Sequence, residues 1–176
     1  MISSHSLLFY ATIATAFKES AMPNPPIEKP NALMPHWLIC LAMLLFLSIY
    51  NLICHLWGDE IRQPLQEPQR ILIRTVFYVI AIVLFPLTNL LRYILLRLNQ
   101  TMPGERTAEQ RYLITILVTQ GAIEIVSLFG LIMFMLGDDF NTLYIFTLLG
   151  VVGIYLHKPK REELQSIIDA LAVKNH

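Results

Sequence analysis

Long apolar stretches separated by short polar segments dominate this sequence. Four of them are long enough to cross a membrane, at residues 37–57, 71–98, 112–136 and 141–156. None alternates apolar and polar residues with a period of two, as a half-buried strand does. At about 1.5 Å per residue, each can span a hydrocarbon core of about 30 Å as a helix, the fourth only just. The pattern therefore predicts an all-α integral membrane protein whose four transmembrane helices occupy residues 36–157.

The polar segments between the apolar stretches carry residues that end or begin helices. Pro64 and Pro68 interrupt the segment between the first two stretches. Thr107 precedes Gln110 by three residues, which is the spacing of a capping box at a helix start. We therefore expect the third helix to begin near Ala108.

The first 35 residues are predicted to form a Pro-rich, disordered tail. A run of prolines within residues 23–35 disfavours a helix and favours an extended chain. Residues 7–17 are mildly apolar but follow no basic region, so a signal peptide is not expected. Met22 and Met34 are alternative starts of the chain.

The last segment, residues 158–176, is predicted to be a cytoplasmic tail containing an amphipathic helix. Between Arg161 and Val173, apolar residues recur at helical spacing, namely Leu164, Ile167, Ile168 and Leu171. Such a helix can lie on the membrane surface, dock on a partner, or pack on the protein's own loops. The sequence leaves these alternatives open.

The composition agrees with a membrane location, because 55% of the residues are hydrophobic and only 15% are charged. Basic residues then predict the orientation. In a four-span topology all but three of the 13 Lys and Arg fall on one side, and the exceptions are Arg62, Arg70 and Arg74. The positive-inside rule therefore predicts that both termini are cytoplasmic, with a bacterial inner membrane as the expected location. No basic run indicates a nucleic-acid partner.

Glu124 is the one charged residue within the third apolar stretch. An acid at the centre of a membrane helix costs about 2.5–3.5 kcal/mol, so its presence indicates a partner, a bound proton or a function. On a helical wheel, Gln120, Glu124 and Ser127 fall on one narrow stripe. We therefore predict a buried polar seam in which the apolar surroundings favour the protonated acid.

The fourth stretch offers a surface that complements this seam. Thr147, Gly150, Gly153 and His157 fall within one arc of the helix, and glycines let helix backbones approach closely. Folding the chain about the short third loop places Glu124 level with Gly153 and about one helical turn from His157. A carboxyl–imidazole pair is therefore possible, and His157 joins the candidate ion-binding residues.

Folding the chain about the second loop places Glu124 near Ile82. The carbonyl of Ile82 loses its helical donor, because Pro86 has no N–H. A protonated Glu124 could donate a hydrogen bond to that carbonyl. The acid thus has two alternative predicted partners, one on each neighbouring helix.

Cofactor and metal chemistry finds no support in the sequence. Cys40 and Cys54 lie on one helix about 21 Å apart, so they cannot form the paired thiols of small quinone-linked oxidoreductases. His36 and His157 are expected at the inner boundary and His55 at the outer one, so no deep pair is available for haem. Nucleotide, nucleophile and zinc motifs are absent from the sequence. We therefore expect no cofactor, no metal and no catalytic activity.

The segment that begins at Glu124 places an aromatic residue, Phe129, five positions later and Gly130 at the sixth. In this respect it resembles the ion-binding helix of the rotary ATPase c subunit. The resemblance implies that Glu124 carries a translocated proton or sodium ion. That family packs glycine-rich first helices into a ring, whereas the first two apolar stretches here contain no glycine. The sequence therefore does not predict such a ring.

Two functions are consistent with these observations. In the first, the chain is a non-catalytic accessory or structural subunit of a membrane assembly, and the polar seam holds its helices together. In the second, Glu124 is the titrating acid of a proton- or cation-transport component. The sequence favours the first, because a single intramembrane acid without a second charged group is a poor relay. The expected partners are the lipid bilayer and either another membrane protein or further copies of the chain.

Overall fold

The computed structural model describes residues 33–102 and 106–174. Within them the chain forms five α-helices and no strand: α1 at Met34–Ile61, α2 at Glu67–Thr101, α3 at Ala108–Met135, α4 at Phe140–Leu156 and α5 at Arg161–Lys174. The predicted all-α class is thereby confirmed for this part of the chain. Most of the predicted disordered tail lies outside the described residues, but its last two residues, Met34 and Pro35, belong to α1.

Prolines and a capping threonine define the helix starts. Pro35 and Pro68 lie in the first turns of α1 and α2, where a missing N–H costs no intrahelical hydrogen bond. At the start of α3, the Thr107 hydroxyl accepts a hydrogen bond from the backbone amide of Gln110 at 3.3 Å. The predicted start of the third helix at Ala108 is therefore confirmed.

α2 is longer than its predicted apolar core, because it extends into polar residues at both ends. Pro86 lies inside this helix, which continues past the missing N–H. Membrane helices tolerate such a proline where side chains and neighbouring helices satisfy the backbone. Two residues later, the Thr88 hydroxyl donates to the carbonyl of Leu84 at 2.7 Å and adds a bond within the helix.

Three helices, α1, α2 and α3, are long and apolar enough to cross a membrane. α4 has 17 residues and reaches that length only together with α5, from which it is bent by 45°. Large apolar side chains cover the outward faces of α1 and α2, among them Leu38, Leu45, Leu72 and Ile82, which are each more than half exposed. Such surfaces suit lipid rather than water. These features indicate a membrane protein.

α3 is the central helix, because it packs against each of the other four. One core cluster joins α1 to α3 and α4 around Phe134. Another joins α2 to the same pair around Phe146. α3 and α4 thus form an antiparallel pair on which α1 and α2 pack, and a third cluster, around Ile123, receives side chains from both.

The turn between α3 and α4 is held by the segment that leads into α2 and by the first turns of α2. Gly137 has a positive φ of 88°, and a side chain there would collide with Pro64. The buried carboxylate of Asp138 forms a salt bridge with Arg74 at 3.1 Å. Arg70 donates to the carbonyl of Gly137 at 3.0 Å. Arg62 also donates to the carbonyl of Asp138 at 3.4 Å, so all three arginines outside the main basic set hold the turn that aligns α4 with α3.

Candidate functional site

The polar seam predicted on α3 lies inside the helix bundle. Gln120 and Ser127 are fully buried, and Glu124 is only 6% exposed. The three side chains follow one another at about one helical turn along one face. That face meets α1 and α4, because the amide of Gln120 contacts groups on both helices. The stripe read from the sequence is thus an enclosed polar site.

Glu124 has no hydrogen-bond partner within the described part of the chain. Both carboxyl oxygens are buried, and neither bonds to a described residue. The hydroxyl of Tyr50 in α1 lies near the side chains of Ser127 and Thr147, and Tyr50 is within electrostatic range of Glu124. Burying a polar group without a hydrogen bond costs free energy, so an unpartnered carboxyl group in a folded protein calls for an explanation.

Further buried side-chain atoms share this property, and four of them belong to residues of α1, α3 and the end of α4 that adjoin this seam. They are the Tyr50 hydroxyl, the Gln120 amide oxygen, the Ser127 hydroxyl and the Nε2 atom of His157. None makes a hydrogen bond of ordinary geometry to a described residue, although the Tyr50 hydroxyl lies near those of Ser127 and Thr147. We term these four side chains, together with Glu124, the polar column. α1, α3 and the end of α4 all contribute to it. A group of unpaired polar atoms favours a bound polar species, so the column is suited to water, a proton or a small cation.

Gln120, rather than Glu124, connects the helices. Its amide nitrogen donates to the carbonyls of Ile154 and His157 at 3.3 and 3.2 Å. The Nδ1 atom of His157 lies 2.9 Å from the carbonyl of Gly153, and a carbonyl can only accept, so this nitrogen donates. The other ring nitrogen, Nε2, and both oxygens of Glu124 bond to no described residue, so the predicted carboxyl–imidazole pair is not formed.

The second predicted partner of Glu124, the carbonyl of Ile82, is not used either. Ile82 is 72% exposed on the outer face of α2, whereas Ala81 and Phe85 are the residues that pack toward α3. One position along a helix turns a side chain by about 100°. Folding the chain about a loop therefore gives the level of a residue in the membrane, but not the direction in which it faces.

The predicted small residues of α4 bring its backbone against α3. A Cβ atom at Gly150 would overlap the hydroxyl of Ser127, and one at Gly153 would lie 2.5 Å from the side chain of Ile123. Thr147, on the same arc, exchanges hydrogen bonds with Asn51 of α1 at 3.0 and 3.3 Å. Close backbone approach of this kind is typical of helix pairs in membranes.

The two ends of the polar column differ. Beyond Tyr50, toward the turn between α3 and α4, Cys54, Phe134 and Leu143 form a fully buried apolar layer. At the opposite end, His157 lies at the junction of α4 and α5, beside charged residues of α2 and α5. The column is therefore closed by apolar packing at one end and bounded by polar groups at the other.

Arg92 of α2 is the centre of the polar end. Its guanidinium donates to the carbonyls of His157 and Lys158 at 2.6 and 3.1 Å. It also donates to both carboxylate oxygens of Glu163 in α5, at 3.3 and 2.7 Å. The Tyr112 hydroxyl donates to the same carboxylate at 2.9 Å. This cluster, which we term the Arg92 latch, ties α5 to α2 and α3.

The sequence pattern uses Arg92 only as one of the basic residues that predict the orientation of the chain in the membrane. A stronger signal was available, because Arg92 lies between apolar residues, Leu91 and Tyr93, where an unpaired charge is expensive in a membrane. That is the signal that identified Glu124. Tyr50 gives no such indication, because a tyrosine in an apolar helix is ordinary in a core or at an interface.

α5 packs on the protein's own helices. Leu164 is 5% exposed and Ile167 is fully buried, and Gln100 of α2 donates to the hydroxyl of Ser166 at 3.1 Å. Of the alternatives for the amphipathic tail, the structure therefore supports packing within the chain. The contacts are with α2 and α3 rather than with loops.

The remaining candidate ligands are dispersed. Cys40 and Cys54 are free, buried thiols at different levels of α1. His36 packs against the ring of Tyr112 with centroids 4.9 Å apart, whereas His55 lies near the other end of α1. Among the described residues, no three His, Cys, Asp or Glu side chains are grouped so that they could hold a metal ion.

No protein-family model, no curated protein and no solved structure matches this sequence. The candidate site is therefore defined by its residues and their geometry alone.

Proposed function

We propose that this chain is a four-span protein of a bacterial inner membrane whose polar column binds a proton or a small monovalent cation at Glu124. Both termini then lie on the cytoplasmic side. The contacts of α4 support the fourth span, since it follows α3 from Gly130, near the turn, to Gln120, near the junction with α5. A helix that runs antiparallel to a transmembrane helix over this distance crosses much of the same membrane.

The unpartnered carboxyl group of Glu124 carries this proposal. A group that only holds helices together would bond to a neighbouring helix, as Gln120 does. Glu124 has both oxygens buried and bonded to no described residue, so its free energy depends on what else it binds. A proton neutralises the acid, and a hard cation would find oxygen ligands in the carboxylate and in Tyr50, Gln120 and Ser127.

Exchange with the cytoplasm is proposed to occur through the end of the column at His157. The apolar layer around Phe134 closes the other end, and a charged species there would lose its hydration without compensation. His157 has an unpartnered ring nitrogen, and its carbonyl joins it to Arg92 and so to the charged surface of α5. Access from one side suits a binding site rather than an open channel.

An accessory or structural role is the second candidate, and the bonding of Gln120 favours it. Its amide joins α3 to α4 and lies 3.3 Å from the sulfur of Cys40 in α1, as polar glue between membrane helices does. In that case Glu124 is incidental, and the partner is another membrane protein or a second copy. The two functions differ in whether Glu124 binds and releases a proton or cation.

Labelling with a hydrophobic carbodiimide tests the proposal, since such reagents attack protonated carboxyl groups within the membrane. We expect Glu124 of the purified full-length protein to be labelled, and the labelling to fall as the pH rises, because only the protonated acid reacts. Protection by Na⁺ at constant pH would identify a cation site. Glu124→Gln should lose the label, whereas Glu60→Gln, which changes an exposed acid, should keep it.

Assembly in mild detergent gives a second measurement. Glu124→Gln keeps the shape of the side chain and should assemble like the wild type under the proposal. The proposal would be overturned if Glu124 stayed unlabelled at every pH while Glu124→Gln and Glu124→Leu both assembled like the wild type. A stoichiometric protein partner retained by all of these variants would then indicate the accessory role.

A further inference from the structure

A narrow groove runs between α1 and α4 at the end of the bundle where α4 meets α5. It has a volume of about 240 Å³ and is almost entirely apolar. The buried side chains of Cys40 and Ile154 form its floor. Trp37 and Tyr155, which are at least half exposed, form its rims, and Lys158 lies at one end.

The groove begins at the end of the helices and extends toward their middle. Trp37 lies in the first turn of α1, and Lys158 follows α4 by two residues. Leu44 and Val151 line the far end of the groove, about 10 Å deeper along the two helices. Tryptophan and tyrosine are enriched at the headgroup level of a bilayer. The groove therefore matches the upper part of a lipid acyl chain, with the headgroup at Lys158.

Lys158 places a cation at the end of the groove that pairs with no described carboxylate. Its ammonium lies 4.3 Å from the centre of the Tyr155 ring, and it forms no salt bridge with a described carboxylate. Arg92 donates to its carbonyl at 3.1 Å, so its backbone is held in place. Basic residues beside clefts between transmembrane helices on the cytoplasmic side are suited to anionic lipid headgroups.

We propose that this groove binds one acyl chain of an anionic phospholipid, whose phosphate pairs with Lys158. The apolar lining favours a lipid over a soluble phosphate compound. A symmetric dimer through the same groove would bring two copies of Lys158 to one membrane boundary, where like charges repel. The site is independent of the proposed role of Glu124, because no residue of the polar column lines the groove.

Tryptophan fluorescence can test this site, because the chain has 2 Trp and the second, Trp57, lies at the far end of α1. The full-length Trp57→Phe protein would be reconstituted in phosphatidylcholine vesicles. A minor share of brominated phosphatidylglycerol should quench Trp37 more strongly than the same share of brominated phosphatidylcholine. We expect an approximately five-fold difference in relative association, the ratio that corresponds to about 1 kcal/mol for one basic residue.

Two variants of the Trp57→Phe protein, which is the parent here, test whether the preference for phosphatidylglycerol comes from the ammonium group of Lys158. Lys158→Gln should abolish it, and Lys158→Arg should retain it. Lys160→Gln is the matched control, since Lys160 is exposed and does not line the groove, and this variant should behave as the parent does. Equal quenching by the two lipids in the parent, or equal losses in Lys158→Gln and Lys160→Gln, would overturn the proposal. So would a Trp37 that neither lipid quenches, because a protein surface would then cover the groove.

Discussion

Two polar residues on one face of α3, Gln120 and Glu124, differ in whether their side chains bond to neighbouring helices. The Gln120 amide donates to the carbonyls of Ile154 and His157, so it contributes bonds between helices. Glu124 is buried and bonds to no described residue, so its removal breaks no hydrogen bond of the described structure. A paired buried group stabilises a fold, whereas an unpaired one costs free energy. One helix face therefore combines a structural residue with a candidate functional one.

This contrast predicts opposite effects of the same substitution. Gln120→Leu should lower the free energy of unfolding by about 1–3 kcal/mol, because it removes the donor to buried carbonyls. Glu124→Leu should leave that free energy unchanged or raise it, because an apolar side chain replaces an unpartnered polar one. Unfolding by denaturing detergent, followed by circular dichroism, measures both. A loss in Glu124→Leu as large as that in Gln120→Leu would show that the acid is bonded in the folded protein.

Among the elements, α5 is a docked helix that also reaches the polar column. Leu164 and Ile167 are buried where α5 packs on α2 and α3, and Glu163 completes the Arg92 latch. The carbonyl of His157 accepts hydrogen bonds from both Arg92 and Gln120. The position of α5 is therefore coupled to the end of the column through one shared carbonyl.

Weakening the latch should loosen α5 selectively. Glu163→Gln removes the negative charge that pairs with Arg92, and we expect the docking of α5 to lose about 1.5–3 kcal/mol, the range for hydrogen bonds to charged groups. Hydrogen exchange followed by mass spectrometry should then show faster exchange in α5, with little change in α1. Glu162→Gln, at the adjacent exposed position, is the control. Equal exchange rates in the two variants would contradict a role for the latch.

At the scale of the whole molecule, the ion pairs of the described residues lie at the two ends of the bundle. Arg70 and Arg74 surround Asp138 at the turn between α3 and α4. Arg92 pairs with Glu163 at the end that carries α5. Apolar side chains cover the outward faces of α1 and α2 between these ends. A bilayer is expected to lie between the two clusters, with the α5 end in the cytoplasm because most basic residues lie there.

Reporter fusions test this orientation. Fusions after Asn99 and after His176 should report the cytoplasm, and one within residues 137–141 should report the opposite face, because the positive-inside rule retains the basic end. Paired alkaline phosphatase and green fluorescent protein reporters provide the measurement. A C-terminus on the outer face together with a cytoplasmic Asn99 would exclude four spans and favour three, with α4 and α5 folded back on one side.

The sequence by itself determined that the chain suits a lipid bilayer and approximately where its helices lie. Apolar runs, proline positions and the Thr107 cap locate the helices close to their observed bounds. This is possible because a membrane helix satisfies its backbone internally and depends mainly on local composition. The stripe of Gln120, Glu124 and Ser127 likewise follows from helical periodicity alone.

Only the tertiary structure decided which groups meet. Periodicity along α3 could not show that Glu124 misses both His157 and Ile82, or that Tyr50 of α1 joins the column. The Arg92 latch joins positions 71 residues apart. Such contacts depend on how each helix is rotated about its axis, which the sequence of one helix does not specify. In lipid, where the hydrophobic effect does not drive helices together, that rotation is set by close packing and by a few interhelical hydrogen bonds.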